Sequence, residues 1–322
     1  MSRSTLAAVD ASLVDRILAG DRRAVARAVS MVEDGDPELP ELSAALYPHT
    51  GQAYTVGLTG SPGVGKSSLA GALLGVARAR EVPTAVLAVD PTSPFSGGAL
   101  LGDRLRMQEH ATDPGVFIRS MATRGHLGGI ALAAPEAVRI LDASGARFIL
   151  VETVGVGQAE VDVATAADTT VVVVAPGWGD AVQVAKAGIL EIADVFAVNK
   201  ADREGANEAL RDLEVMIRMG PRTGWSPPVI RTSTIDGAGI EELYDAVQSH
   251  RTSQEGSGAL EERRRARQLH EVERMAAESF RERIASGAED AELVRDLQER
   301  RIDPYAAATI LVGRAGAVDA PS

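Results

Sequence analysis

The nine residues GSPGVGKSS at 60–68 constrain this chain more than any others, because an apolar run at 55–59 precedes them and a helical pattern follows. Together they satisfy G-x-x-x-x-G-K-[ST] in the strand-to-helix setting that the motif requires. Glycines at 60, 63 and 65 let the backbone wrap until several N–H groups converge, and the start of the next helix adds its dipole. Such a loop holds phosphate, so Gly60, Ser61, Pro62, Gly63, Val64, Gly65, Lys66, Ser67 and Ser68 are the candidate phosphate-binding residues. Lys66 is expected to bridge the β- and γ-phosphates of a nucleoside triphosphate, and the Ser67 hydroxyl to coordinate Mg²⁺.

The remaining pattern places this loop in a fold. Short β-rich runs at 54–59, 84–89, 147–151, 169–175, 194–198 and 228–231 alternate with helical stretches. That alternation predicts a doubly wound, mostly parallel α/β sheet with crossover helices. Aromatic residues are only 3% of the chain, so its core must come from Ala, Val, Leu and Ile. Three segments are expected: an N-terminal helical cap over 1–50, a nucleotide-binding domain over 51–252 and a C-terminal helical arm over 253–322. The cap rests on Leu13, Ile17, Leu18, Val25, Val29 and Val32, interrupted by Gly20 and Gly35. QEGSG at 254–258 reads as a linker, after which Leu260, Leu269, Val272, Met275, Phe280 and Ile284 recur at roughly helical spacing. The charge run EERRRARQ at 261–268 reads as a solvated helix face.

Composition removes several function classes. Lys and Arg number 33 against 45 Asp and Glu, and the net charge of −12 disfavours nucleic acid and anionic lipid as partners. The chain has no Cys, which excludes disulfides, thiolate metal sites and cysteine nucleophiles. MSRSTLAAVD lacks an apolar h-region, and no run approaches the roughly 18 apolar residues of a spanning helix. A cytoplasmic protein without a membrane segment is the expectation.

A second motif chooses the base. NKAD at 199–202 follows the apolar strand-like run 195–198, at the strand end where open α/β sheets bind ligands. A carboxylate at Asp202 can accept two parallel hydrogen bonds from the N1–H and amino group of guanine, which adenine cannot supply. Asn199 and Lys200 would brace the base and the phosphate loop. RTSTIDG at 231–237 offers Thr232, Ser233 and Thr234 to the guanine O6. The expected ligands are therefore GTP and GDP, with Mg²⁺.

Carboxylates at strand ends complete the expectation. Glu152 ends the run 147–151 at the usual place of a Walker-B Asp, as a metal-binding and catalytic candidate, and Asp90 and Asp103 can approach Mg²⁺ or its waters. Gly155 is placed for its amide to sense the γ-phosphate, which makes 152–163 a candidate switch. The Gly-, Pro- and Ser-rich stretch 91–103 is a second, and Arg104, Arg106, Arg124 and His126 are candidates for stabilising transition-state charge.

GSPGVGKSS, VDPTSPFSGGALLGDRLRM, RGHLGG, VETVGVGQAE, APGWGD and EIADVFAVNKAD together resemble the methylmalonyl-CoA mutase-associated GTPases. The resemblance implies a GTPase chaperone that docks on an adenosylcobalamin-dependent acyl-CoA mutase, gates loading of its cofactor and protects it from inactivation. It also implies Mg²⁺-associated carboxylates at Asp90, Asp103 and Glu152, and a third switch at 176–188 in which Lys186 serves partner-dependent catalysis. A C-terminal arm that makes a homodimer is implied as well. The Walker-B position is Glu rather than Asp, and no Gln directly follows the switch glycine, so slow intrinsic turnover is expected, with Gln158 a candidate to position water. Two rivals remain. Relatives of the family carry the label of an ATP-using kinase of basic amino-acid transport, against which Asp202 argues. A nickel metallochaperone GTPase would need metal ligands, and five scattered histidines without Cys argue against one.

Overall fold

The computed structural model describes residues 11–90, 110, 112–122, 130–153, 167–177, 192–219, 224–288 and 291–316. Three helices come first: α1 (Ala11–Leu18), α2 (Arg22–Asp34) and α3 (Leu39–Leu46). Asp21 starts α2, its carboxylate accepting from the N–H groups of Arg23 (2.8 Å) and Ala24 (3.0 Å), and Gly35 ends it in the left-handed conformation at φ +60°. The α/β part then runs β1 (Tyr54–Thr59), α4 (Lys66–Ala79), β2 (Thr84–Asp90), β3 (Val116–Ala122), α5 (Ile130–Ala143), β4 (Phe148–Thr153), β5 (Thr169–Val174), β6 (Val195–Val198), α6 (Ala206–Met219), β7 (Val229–Arg231) and α7 (Ile240–Ser257). Helices α8 (Ala259–Ala288), α9 (Ala291–Gln298) and α10 (Pro304–Gly316) follow.

The strands form one parallel sheet in the order β3-β2-β4-β1-β5-β6-β7. Alternate residues of each strand face opposite sides, and both sides are covered. Val56, Leu58, Leu150, Val171 and Val173 pack under α4 and α7 through Leu69, Leu73, Leu243 and Val247. On the other side Leu87, Ile149 and Val151 meet Ile17, Val25, Leu42 and Ile140 of α1, α2, α3 and α5, while Phe196 and Val198 meet Ala209 and Leu213 of α6. Each fully buried Leu, Val or Phe contributes about 1.5–3 kcal/mol, which is why strands covered on both faces read as unbroken apolar runs.

Three features depart from the sequence expectation. First, β3 has no counterpart among the expected runs. VFIRSMA mixes polar and apolar residues because it pairs only with β2, and Arg119 in its middle donates to Ser30 (2.7 Å) and Glu33 (2.6 Å) of α2. Second, QEGSG is not a linker. Helix α7 continues through Ser257, with Gln254 buried against His250 at 2.6 Å, and only Gly258 (φ +77°) breaks the path to α8. Third, the charge run of α8 is a solvated face only in part: Glu261, Glu262, Arg265 and Gln268 are exposed, while Arg263, Arg264 and Arg267 reach inward. Arg263 donates twice to Asp194 (2.8 and 3.0 Å), Arg264 twice to Asp168 (2.7 and 3.1 Å), and Arg267 to Asp168 at 2.9 Å. Asp168 is fully buried at the start of β5, so the arginines satisfy a carboxylate that water cannot reach.

The chain divides into two compact units, residues 1–267 and 268–322. In the second, Asp303 caps α10 through the N–H groups of Tyr305 (2.7 Å) and Ala306 (3.0 Å), and Leu293, Ala307 and Ala315 are buried. Leu269, Val272 and Met275 of α8 are exposed. No helix among the described residues is long and apolar enough to cross a membrane.

Candidate nucleotide site

Strand β1 lies between β4 and β5, so the loop that leaves its C-terminal end opens near the middle of the sheet. Gly60, Gly63 and Gly65 have φ of +138°, +79° and +99°. Two of them are fixed by close approach as well as by conformation. A Cβ on Gly60 would lie 2.1 Å from the Val173 carbonyl oxygen of β5, and one on Gly65 would lie 2.4 Å from Asn199 Nδ2. Gly60→Ala is therefore expected to add about 1–3 kcal/mol of backbone strain besides the clash. A lowered urea midpoint with weakened nucleotide binding will show it.

Lys66 and Ser67 begin α4, and both are buried. The Lys66 ammonium donates to the backbone carbonyls of Gly60 and Ser61, so the loop holds it folded over its own floor. The Ser67 hydroxyl donates to Glu152 Oε1 at 2.5 Å. Glu152 is 1% exposed and stands near the end of β4, in register with Leu58 of β1 and Ala88 of β2. The register of three parallel strands thus delivers a carboxylate to the first turn of the phosphate-loop helix.

The base-side residues adjoin the same loop. Asn199 is 1% exposed and donates from Nδ2 to the Val64 carbonyl at 2.8 Å, while Lys200, in the left-handed region at φ +57°, donates from Nζ to the Gly63 carbonyl at 2.6 Å. Thr232, fully buried after β7, donates to Asn199 Oδ1 at 3.3 Å, and its N–H bonds the Val198 carbonyl at 2.8 Å. Ser233 donates to Asp202 Oδ1 at 3.2 Å, Asp202 itself being exposed, and Thr234 follows in the turn. Adjacent strands β5, β6 and β7 therefore end in residues that meet one another and the loop after β1.

Of the residues expected from sequence, the structure brings together the whole stretch 60–68 with Glu152, Asn199, Lys200, Asp202, Thr232, Ser233 and Thr234. Asp90 closes β2 at the same edge of the sheet. Asp103, Gly155, Gln158 and Lys186 lie outside the described residues, as do Arg104, Arg106, Arg124, His126 and most of the three switch segments. Asp236, in the same RTSTIDG stretch, accepts from the Ala238 N–H at 3.2 Å and so shapes the turn that follows Ser233.

Comparison with known proteins agrees with this arrangement. The family model described as methylmalonyl Co-A mutase-associated GTPase MeaB matches residues 25–289. A protein of Pyrococcus abyssi that bears a GTPase name is 47% identical over 93% of this chain and 95% of its own. The methylmalonic aciduria type A homolog of Caenorhabditis elegans, a mitochondrial protein by name, is 34% identical over 78% of this chain and 68% of its own. A crystal structure of an LAO/AO transport system kinase shares the fold, with a TM-score of 0.70 at 24% identity over 97% of this chain and 98% of that one. The chain belongs to the methylmalonyl Co-A mutase-associated GTPase family and is a guanine-nucleotide-binding, GTP-hydrolysing P-loop enzyme.

Proposed function

We propose that this chain is a Mg²⁺-dependent GTPase chaperone that docks on an adenosylcobalamin-dependent acyl-CoA mutase, gates loading of its cofactor and protects it from inactivation. The observation that carries the reading is the convergence of Lys66, Ser67 and Glu152 with Asn199 and Asp202, in a chain that matches the mutase-associated family over 25–289. Methylmalonyl-CoA mutase is the mutase proposed.

Ser67 and Glu152 offer a hydroxyl and a carboxylate oxygen 2.5 Å apart, a hard-oxygen donor pair that suits Mg²⁺, with Asp90 and Asp103 as further candidates. When bound, the ion would neutralise charge on the β- and γ-phosphates. Lys66 turns from the Gly60 and Ser61 carbonyls to the phosphates, exchanging neutral acceptors for charged ones. The N–H groups of 60–68, Pro62 excepted, and that of Gly155 beyond them, donate to phosphate oxygens. Asp202 accepts from the guanine edge, Lys200 packs its stem on the purine face, and Thr232, Ser233 and Thr234 stand toward O6. Hydrolysis is slow alone and is accelerated by the mutase, with Lys186 serving that partner-dependent catalysis. The protein works in the cytoplasm as a homodimer, for which the exposed Leu269, Val272 and Met275 of the second unit supply an apolar stripe.

Single-turnover hydrolysis of GTP and ATP, with and without the mutase from the same source, tests the proposal. GTP alone should be hydrolysed, the mutase should accelerate it, and Lys186→Ala should remove the acceleration. Equal use of ATP with no effect of the mutase would instead favour the kinase of basic amino-acid transport.

A further inference from the structure

His250 of α7 is 1% exposed, and each of its ring nitrogens meets a polar neighbour. Nδ1 lies 2.8 Å from the Thr169 hydroxyl, which in turn lies 2.5 Å from the Tyr54 hydroxyl. Nε2 lies 2.6 Å from the Gln254 amide nitrogen and 3.4 Å from Asp194 Oδ1. With Gln254 donating, Nε2 carries a lone pair, and that lone pair faces a carboxylate. Gln254 Oε1, also buried, has no hydrogen-bond partner among the described residues. A proton on Nε2 relieves both faults, because the ring can then donate, to Asp194 or to a Gln254 amide turned to present its oxygen.

Asp194 already has a cationic partner. Arg263 of α8 donates to both of its oxygens, at 2.8 and 3.0 Å, and Arg263 Nη1 also donates to the Asp168 carbonyl at 2.7 Å. The other ionisable groups around the ring are committed elsewhere. Arg264 and Arg267 hold the Asp168 carboxylate, Arg251 of the same helix lies over the Tyr54 ring, and the Tyr54 hydroxyl, pushed up to about 12 by burial, stays neutral. A second cation beside Asp194 would leave one unbalanced positive charge in this cluster, a costly state under burial. The Arg263 side chain is 39% exposed, against 10% for Asp194 and 2% for His250, so only the arginine can carry the surplus charge into water.

We propose that His250, Asp194 and Arg263 form a proton-operated latch, in which a proton on His250 Nε2 takes over the Asp194 carboxylate, releases Arg263 and loosens the root of α8 from the starts of β5 and β6. The inference is independent of the mutase and of base selection. The competing account makes His250 only a core residue that takes a proton when the chain unfolds. Trp225 separates the two, because its ring lies 4.9 Å from the His250 ring while its Nε1 donates to the Asp194 carbonyl at 2.7 Å.

Trp178→Phe leaves Trp225 as the chain's one tryptophan, and a protonated imidazole in contact with an indole quenches its emission. Titrated from pH 8 to 5, with circular dichroism confirming the fold, the emission should fall in one step with a midpoint below 6.5, and His250→Gln should remove the step. Arg263→Gln takes away the competing cation and should move the midpoint up toward 6.5. Hydrogen exchange of peptides covering 259–267 in the unsubstituted full chain, corrected for the intrinsic effect of pH, should be at least ~10-fold faster at pH 5 than at pH 7.5, while α4 keeps its protection. That measurement needs no variant, so it decides even where a substitution misfolds. No quenching before the fold melts, or quenching that survives His250→Gln, makes His250 only a core residue and overturns the proposal. A midpoint unmoved by Arg263→Gln, or exchange at 259–267 no faster at pH 5, overturns the release of the arginine and the latch with it.

Discussion

Lys66→Ala will abolish measurable GTP turnover while leaving the fold intact. Lys66 is only 6% exposed, and its ammonium donates to the backbone carbonyls of Gly60 and Ser61. Truncation takes those two hydrogen bonds from the loop carbonyls, which water can replace at a surface loop. In the liganded protein the same ammonium carries charge-assisted bonds of about 1.5–3 kcal/mol each, so nucleotide affinity should fall at least ~10-fold. Charge that develops on the phosphates during transfer is stabilised in a site shielded from water, where losing one such group costs on the order of 10²–10³ in rate. Isothermal titration with GDP, single-turnover hydrolysis and a thermal melt measure the three quantities separately. A variant that turns over GTP within a factor of a few of wild type would remove Lys66 from the site.

The nucleotide site was legible because its chemistry demands residue types at fixed spacing. Gly60 and Gly65 cannot carry a Cβ beside Val173 and Asn199, so the glycines had to be there and could be read. Asn199 and Lys200 were legible as bracing residues because they sit at the end of an apolar strand, and they do reach the Val64 and Gly63 carbonyls. The strands covered on both faces were equally plain, as TTVVVV of β5 illustrates.

What was hidden depends on long-range partners. β3 carries Arg119 in its middle, and only the presence of Ser30 and Glu33 about 90 positions earlier makes that arginine acceptable there. The arginines at 263, 264 and 267 resemble a wet helix face until Asp168 and Asp194 are known to lie under them. QEGSG suggested a linker, but a glycine inside a helix, as Gly256 is, costs only about 1 kcal/mol, which the buried Gln254 and the packing of α7 outweigh.

Asp168→Asn should be the most destabilising of the conservative substitutions at the base of the sheet. Asp168 is completely buried, accepts from the Thr55 N–H at 3.0 Å, and is the shared acceptor of Arg264 and Arg267. Arg264 also holds the Gly51 and Ala53 carbonyls, and Asp142 takes the N–H groups of Gly51, Gln52 and Ala53, so the entry to β1 is gripped from two directions. Replacing the carboxylate leaves two guanidinium groups facing a neutral amide, and breaking a buried pair in this way costs about 3–5 kcal/mol. For a chain of this size that corresponds to roughly a 4–7 °C fall in Tm at neutral pH. The pH dependence carries its own signature. Burial pushes the Asp168 carboxyl up, but the Arg264 hydrogen bond and the charges of Arg267 and Arg264 outweigh it and leave the group below its ordinary 3.8. Its contribution is therefore fully present above about 3.8 and is lost as pH falls through the lower folded value. His250 behaves differently. Burial lowers its pKa against the pull of Asp194, so the folded state resists a proton that the unfolded chain accepts, and stability declines as pH drops below 6.5. Melts from pH 8 to 3 should show two descending steps in the wild type. Asp168→Asn should start lower and show a smaller acidic step, Asp21 and Asp113 keeping the rest of it, whereas a variant with wild-type stability at neutral pH would mean that the arginine clasp contributes little to the fold.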